Sequence, residues 1–393
     1  MFSDIRNRAK DIFSQIGYPS KKEEMWKYTN ISNFNNCISD NSNKSDYKLS
    51  DSSFLKESFN IIISNGQLIS QDTKIDGVTI KSYKEIADSS TYEGKFLQLS
   101  NFTNSGVIAH NTAAFSDALH ITIESNQKIE IPINIISITN SLGSDKIIFP
   151  RIYVHVKDNS NAKIYIQSID NGAECAINSV FEFYCESSSK LEIIQLSNLK
   201  NQKIIDSIFF HQEDNSQIKF LSTTFGGKLY RSNIEVSING EGCNNRFGVL
   251  MLGADSDHID YHTNINHISG QSTNHFTCRS LLKDNSIGIF NGKILVQEGA
   301  SGTDSTLNNN NLLLSDKSEI QSNPQLEINC EDVKCAHGST SGNLDKEALF
   351  YLRSRGINQE DARSILIKGF INKLISSFDL ETLSLEQKIK QWI

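Results

Sequence analysis

A polar turn recurs along the middle of the chain at a nearly constant interval. The turns "KDNSNAKIYI", "CESSSKLEII" and "EDNSQIKFL" begin at residues 157, 185 and 213, so both intervals are 28 residues (185 − 157 and 213 − 185). Similar turns, "KDNSIGIFN" and "SDKSEIQ", begin at residues 283 and 315. Each repeat holds two short β-rich runs, which cannot bury both faces of a sheet unless successive repeats stack on a common core. The interval predicts a mainly β fold, a parallel β-helix; an antiparallel sandwich is the alternative.

The pattern divides the chain into three regions. Residues 1–60 are predicted to be helical and irregular, with a helix over "FSDIRNRAKDIFSQIG" and a polar loop over residues 35–54. Residues 61–340 contain the β-rich repeats and are predicted to form the β-helix core. Residues 341–393 are predicted to be helical.

Two helices are predicted in the last region. Asp345 is the expected N-cap of the first, which ends at Gly356, and Asn358 is the expected N-cap of the second. The first has one apolar face, formed by Leu344, Ala348, Leu349 and Leu352. The second is apolar on more than one face, so both sides require cover. We expect one side to contact the body of the protein and the other to contact a partner.

Composition argues against several classes of function. The 393 residues carry a net charge of −8, and the basic residues form no cluster, so nothing indicates nucleic-acid binding. No apolar run approaches the roughly 18 residues of a membrane span, and the N-terminus lacks the apolar core of a secretory signal. We therefore expect a cytoplasmic protein without membrane insertion. Seven irregularly spaced cysteines favour free thiols, and no glycine-rich phosphate loop indicates a nucleotide site.

Two groups of residues are candidates for chemistry in the β-rich region. The paired acids Asp255 and Asp257 would suit a secreted-type β-helix carbohydrate-active enzyme, a lyase or glycosidase, although "GADSDH" is typical of a turn. A metal site would require converging imidazoles from the second group, which is His258, His262, His267 and His275. His262 and His267 are an odd number of positions apart and would face opposite sides of a strand, which favours structural, hydrogen-bonded roles.

The stretch "CEDVKCAHG" contains the most specific candidate site. Cys335 and His337 are two positions apart, so an extended strand would direct both to the same side. A thiolate and an imidazole suit zinc, copper or iron–sulfur chemistry, but a closed site commonly takes four ligands. The alternative is a buried cysteine beside a turn-capping histidine. If the site is real, another chain supplies the missing ligands; Cys330 is expected on the opposite side of the strand.

Several segments resemble a known family. Residues 331–370, "EDVKCAHGSTSGNLDKEALFYLRSRGINQEDARSILIKGF", are similar to the C-terminal signature of the SufB/SufD family of the SUF iron–sulfur cluster assembly machinery, and to its SufD branch in particular. "YHTNINH", "GIFNGKILV" and "NNNNLLLSDKSEIQSNPQLEI" match the family pattern in order, and "EEMWKYTN" resembles its N-terminal segment. The resemblance is weakest over residues 35–100. Ala336 and Ser339 depart from the residues that are common there.

The resemblance implies a fold and a set of partners. The expected fold is a right-handed parallel β-helix flanked by N-terminal and C-terminal helical regions. The expected partners are a SufB-like paralogue, paired through the β-helices, and a SufC-like ABC ATPase, bound through the C-terminal helices. A sulfur donor would act through the SufB-like chain, reduced flavin would associate at the level of the complex, and the isolated chain could form a homodimer.

The resemblance also implies roles for particular residues. The chain is expected to be a scaffold subunit that catalyses no turnover alone, in which His337 and Cys335 help to hold a nascent iron–sulfur cluster shared with the partner. The expected ATPase-binding residues lie on the two C-terminal helices: Leu349, Tyr351, Leu352, Leu366, Phe370 and Leu374.

Overall fold

The computed structural model of the chain describes residues 2–40, 49, 55, 57–88, 94–140, 142–378 and 385–392. The helices are α1 (Phe2–Ile16), α2 (Tyr83–Ala87), α3 (Gly106–Ala114), α4 (Lys346–Ser354), α5 (Gln359–Ile375) and α6 (Leu385–Trp392). Most of the polar stretch 41–54, predicted as a loop, lies outside the described residues.

The strands are β1 (Ile38–Ser39), β2 (Phe59–Ser64), β3 (Gln67–Gln71), β4 (Val78–Lys81), β5 (Leu119–Ile123), β6 (Ile133–Asn140), β7 (Lys146–Ile148), β8 (Arg151–Val156), β9 (Asn161–Asn171), β10 (Ala176–Cys185), β11 (Lys190–Asn198), β12 (Lys203–Gln212), β13 (Gln217–Phe225), β14 (Leu229–Ile238), β15 (Asn244–Gly253), β16 (His258–His267), β17 (Thr273–Leu282), β18 (Ile287–Val296), β19 (Asp304–Leu313), β20 (Glu319–Ile328) and β21 (Lys334–Asn343). From β8 onward the strands alternate between two sheets as the chain advances.

Strand β5 and the even-numbered strands from β8 to β20 pair in parallel in one sheet, in the order β5-β8-β10-β12-β14-β16-β18-β20. The odd-numbered strands from β9 to β21 form the other, with β6 and β2 continuing it beyond β9. One strand from each sheet makes a rung, and successive rungs stack in register. This confirms the parallel β-solenoid, and the antiparallel sandwich is wrong.

The recurring turns stack at a corner of the solenoid. Asn159, Ser188 and Asn215 adopt left-handed backbone conformations with φ of 56°, 58° and 56°, a region that Asn tolerates better than most residues. The backbone N–H of each of these residues donates to a carbonyl of the next rung, at 3.1, 2.8 and 2.7 Å. The turns that begin at 283 and 315 join odd to even strands and so lie at the other corner. The sequence repeat therefore marks both corners.

Alternation along each strand separates an apolar interior from the two outer faces. One interior column runs through consecutive strands of the odd-numbered sheet: Ile164, Ile193, Phe220, Phe247, Phe276 and Leu307. Each of these side chains is at most 1% exposed. Burial of a large apolar side chain contributes about 1.5–3 kcal/mol, so such columns are a main source of the solenoid's stability.

The two ends of the solenoid differ. At the first end the outermost strands, β3 and β4, pair antiparallel with β2 and β5. At the other end β20 and β21 are the last strands of their sheets, and no further strand of the described residues pairs with them. Pro324 lies in β20, which fits an edge strand because proline lacks the N–H that an internal ladder needs. The second end is an open edge.

Helices cover part of both outer faces. Aromatic residues of the N-terminal region, including Phe2, Tyr18 and Trp26, form one cluster with Tyr153 and Tyr184 on the outer face of the even-numbered sheet. Helices α2 and α3 add to this region beyond residue 60, the predicted boundary. None of the helices in the described part of the chain has the length and apolar character that a membrane span requires.

The C-terminal helices pack on the outer face of the odd-numbered sheet. Asp345 caps α4 by accepting from the N–H groups of Glu347 and Ala348, and Asn358 caps α5 by accepting from that of Asp361, as predicted. Gly248 in β15 makes room for the ring of Phe378: a Cβ at this glycine would lie 2.8 Å from Phe378 Cε2.

Candidate functional site

Strand β21 places Cys335 and His337 at the open end of the solenoid interior. His337 is the register partner of Leu307, so it ends the buried apolar column. Cys335 is the register partner of Ser305, two positions earlier on the same inward-facing side. Residues two apart in a strand lie roughly 7 Å apart. The prediction that both side chains face one side is confirmed.

The two side chains differ in environment. Cys335 is half-buried and packs against the edge of the main core. Burial raises the pKa of its thiol, and the backbone N–H of Ser305 offsets part of this increase. His337 lies above Leu307 in the last rung. It is exposed because no further rung of the described residues covers it. The pair therefore combines a protonated thiol with an accessible imidazole.

The chain offers too few donors for a closed metal site at this end. No group of three or more His, Cys, Asp or Glu side chains in the described residues is arranged to hold a metal ion. Cys330 does not join the pair: it lies in the turn before β21, where its thiol donates to the carbonyl of Glu331 at 3.3 Å. Its predicted position on the opposite side of the strand is wrong, because β21 begins only at Lys334.

A row of three polar side chains spans the two sheets next to His337. Asn309 of β19 donates through Nδ2 to Ser322 Oγ of β20 at 2.7 Å, and Ser322 Oγ lies 2.8 Å from Ser339 Oγ of β21. Asn309 is fully buried. Ser339 follows His337 by two positions and faces the same way. The sequence analysis missed this row, because only the register brings β19, β20 and β21 together.

The four histidines of the β-rich region do not converge. His267 is buried inside the solenoid with Nε2 3.1 Å from Ser305 Oγ, whereas His262 lies on the outer face 2.9 Å from Asn291 Nδ2 of the next rung. The predicted opposite orientation of these two residues is confirmed. His275 lies on the outer face of the other sheet.

His258 belongs to a polar cluster beneath the segment "EEMWKYTN". Its Nε2 lies 2.9 Å from Thr29 Oγ1. Asp260 accepts from Arg231 at 2.9 Å and pairs with His262 Nε2 at 3.0 Å. The histidines on this face therefore take part in packing the N-terminal segment against the solenoid.

The paired acids Asp255 and Asp257 lie in the turn between β15 and β16. Asp257 accepts from the N–H groups of Ala254 and Gly227 at 2.8 and 3.0 Å. Asp255 has a left-handed backbone, with φ of 48°, and its N–H donates to Asp284 at 3.1 Å. The Asp257 carboxylate and the Asp255 backbone both take part in the hydrogen bonds of this corner, in keeping with the turn predicted there.

The predicted ATPase-binding residues lie at different depths. Leu349, Leu352, Leu366 and Phe370 are half-buried. Tyr351 is 57% exposed, whereas Leu374 is 2% exposed and packs against the solenoid. Two exposed apolar residues were missed: Phe350, 73% exposed, and Ile365, 46% exposed. The sequence did contain a sign of this for Phe350, because it does not belong to the apolar face of α4 that Ala348, Leu349 and Leu352 form.

The sequence of the chain is similar to a known protein family. Residues 137–370 match the family described as SUF system FeS cluster assembly, SufBD core domain, and residues 1–135 match the SufBD protein N-terminal region. An iron–sulfur cluster assembly SufBD family protein of Synechocystis is 25% identical, over 99% of this chain and 89% of its own length.

Two further relatives cover nearly the whole chain. The iron–sulfur cluster assembly protein SufD of Escherichia coli is 26% identical, over 94% of this chain and 87% of its own length. The chloroplastic protein ABCI7 of Arabidopsis thaliana is 25% identical, over 95% of this chain and 82% of its own length. With more than half of its residues matched by the core domain alone, this chain belongs to the SufBD family of iron–sulfur cluster assembly proteins.

Proposed function

We propose that this chain is a SufD-like, non-catalytic scaffold subunit on which a nascent iron–sulfur cluster is built at an interface with a SufB-like paralogue. The observation that carries the proposal is the position of Cys335 and His337 on the inward face of the last strand, beside an open edge. An imidazole and a thiol at an open edge can bind iron only if a second chain completes the ligand set.

The unpaired edges of β20 and β21 support pairing with another solenoid. An exposed strand edge carries a row of free N–H and C=O groups and is a template for a strand of another chain. A SufB-like rung stacked there would cover Cys335 and His337 and would bring its own side chains next to them. The same edge could pair two copies of the isolated chain as a homodimer.

A small number of exposed ligands suits a cluster that is later transferred from the scaffold to an acceptor protein. A scaffold releases its cargo, so the cluster should be held by a small number of bonds that water or an acceptor protein can reach. The cluster is here the cargo of the complex, and sulfur would arrive through the SufB-like partner.

The C-terminal helices are proposed as the binding site of a SufC-like ABC ATPase. Phe350, Tyr351 and Ile365 leave apolar side chains exposed on α4 and α5, which a protein partner could cover. The opposite side of α5 packs on the solenoid through Ile367, Ile371 and Leu374. Movement of the ATPase could therefore pass through α5 to the solenoid. A cytoplasmic location and reduced flavin in the complex belong to the same proposal.

The proposal is tested by His337→Ala in the complex co-expressed with a SufB-like and a SufC-like partner. We expect the partners to co-purify unchanged, because an exposed side chain contributes little to packing, and the iron and acid-labile sulfide content to fall several-fold. The matched control is His275→Ala, which removes a histidine from the outer face of the same sheet. Normal cluster content in His337→Ala, or an equal loss in His275→Ala, would contradict the assignment.

A further inference from the structure

The row Asn309–Ser322–Ser339 crosses the mouth of the solenoid beside His337. The Oδ1 atom of Asn309 is buried without a hydrogen-bond partner among the described residues. Its Nδ2 group is bonded to Ser322 Oγ at 2.7 Å. A buried acceptor left unpaired is destabilising, because it has lost its hydrogen bonds to water. The orientation of this amide therefore depends on the one bond that it makes with Ser322.

The donation of Asn309 gives the row a direction. Ser322 Oγ accepts from the amide and keeps its own hydrogen to donate, since a hydroxyl has one hydrogen and two acceptor lone pairs. Ser339 Oγ lies 2.8 Å from Ser322 Oγ, and either hydroxyl can donate in this bond; we take the arrangement in which Ser322 donates to Ser339. The hydrogen of Ser339 then remains available, and Ser339 is exposed at the mouth. Hydrogen-bonded chains of this kind polarise one another, which makes the last donor stronger.

Ser339 and His337 lie on the same inward-facing side of β21 at the open end of the solenoid, roughly 7 Å apart. We propose that the Ser339 hydroxyl, oriented by Ser322 and Asn309, donates a hydrogen bond to a sulfur atom of the cluster that His337 helps to hold. This inference rests on the proposed function. Hydrogen bonds to cluster sulfur atoms favour the more electron-rich, reduced state and so set the reduction potential. Ser339 would act through this bond and not as a ligand of iron.

A second serine on the same strand provides a matched control. Ser341 also faces inward and also accepts from a buried asparagine, Asn311, whose Nδ2 lies 3.1 Å from Ser341 Oγ. Ser341 lies two positions farther from His337 than Ser339 does. If such serines only fasten β21 to its neighbours, Ser339→Ala and Ser341→Ala should have the same effect.

The experiment compares four complexes co-expressed with their partners: wild type, Ser339→Ala, Ser339→Thr and Ser341→Ala. The shift of the Fe–S stretching bands on transfer from water to D2O is recorded by resonance Raman spectroscopy, and the reduction midpoint by spectroelectrochemistry. We expect Ser339→Ala to lose part of the D2O shift and to have a more negative midpoint. Ser339→Thr, which keeps the hydroxyl, and Ser341→Ala should resemble the wild type. The melting temperature of the chain and recovery of the partners should be unchanged in Ser339→Ala.

The outcomes separate this inference from the proposed function. If His337→Ala loses the cluster but Ser339→Ala keeps the full D2O shift and midpoint, the hydrogen bond is refuted and the scaffold function stands. Equal changes in Ser339→Ala and Ser341→Ala would also refute it, since both serines would then have a structural role. If His337→Ala retains its cluster, the proposed function fails and this inference fails with it.

Discussion

The guanidinium carbon of Arg231 lies 3.7 Å from the ring centroid of Trp26. Arg231 is 2% exposed, and it also donates to the carbonyl of Met25 at 2.7 Å and to Asp260 at 2.9 Å. The aromatic face, the carbonyl and the carboxylate each offset part of the cost of removing the guanidinium from water. This contact fixes the N-terminal segment to the outer face of the solenoid.

We expect Trp26→Ala to lower the free energy of unfolding by about 3 kcal/mol, because it removes a buried aromatic ring and exposes the Arg231 charge to a cavity. Urea denaturation measures the loss, and amide hydrogen exchange should quicken over residues 24–30. Trp26→Phe, which keeps a ring, should lose less. Unchanged stability and exchange in Trp26→Ala would show that the segment is held by other contacts.

Asp206 predicts a dependence of stability on pH. Its carboxyl faces the solenoid interior, accepts from Tyr230 Oη at 3.0 Å and from Gln195 Nε2 at 3.1 Å, and has its pKa raised by burial from 3.8 to about 6. The folded state therefore binds the proton more tightly than the unfolded state. The stabilisation is fully present below about pH 4 and is lost as the pH rises through 6.

A shift of this size corresponds to about 3 kcal/mol. We expect Asp206→Asn to be more stable than the wild type at pH 7 by up to this amount, with the advantage shrinking as the pH falls towards 4. The amide stays neutral and its oxygen can still accept from Tyr230. The measurement is the free energy of urea unfolding at a series of pH values. A difference between the two proteins that does not vary with pH would contradict the assignment.

The cysteines near the open edge should behave differently. Cys335→Ser is expected to lower the iron and sulfide content of the complex, because the thiol lies on the same side of β21 as His337 at the open end of the solenoid. The loss should equal that of His337→Ala if the thiol binds iron, and should be smaller if it only passes sulfur on. Cys330→Ser is the control and should keep normal content, since its thiol is bonded to a turn carbonyl. Equal effects of the two substitutions would contradict a specific role for Cys335.

Charged substitutions should have different effects on the outer and the solenoid-facing sides of the C-terminal helices. Tyr351→Glu and Leu366→Glu are expected to block recovery of the ATPase partner while the chain stays folded, because neither side chain is fully buried. Leu374→Glu should instead cost several kcal/mol of stability, since it places an unpaired charge against the sheet. Circular dichroism and affinity purification of the co-expressed complex measure both effects. Normal ATPase recovery with folded Leu366→Glu and Tyr351→Glu would place the binding surface elsewhere.

Much of the architecture could be predicted because its signals are local. The Asn- and Ser-containing turns fix left-handed corners such as Asn159 and Asn215, and their interval reports the rung length. The caps Asp345 and Asn358 gave the starts of α4 and α5 for the same reason. The spacing of Cys335 and His337 was enough to place both on one face of a strand, since alternation in a strand depends on nothing distant.

Other features depend on stacking and could not be predicted. Spacing does not say which face of β21 is inward; the register with Ser305 and Leu307 decides it. Asp206 lies in the apolar stretch "KIIDSIFF", and its partners Gln195 and Tyr230 belong to other strands of the solenoid. Cys330 was misplaced because the pattern did not show where β21 begins. The row through Asn309, Ser322 and Ser339 likewise needed three strands to be aligned.

The unequal ends of the solenoid have a consequence for synthesis of the chain. The ribosome delivers the antiparallel end first, and each new rung can settle on one that is already complete, so folding can keep pace with translation. The open edge at β20 and β21 is synthesised only after the rungs beneath it. The nascent chain thus presents this open edge late, which shortens the time during which unfinished copies could associate through it.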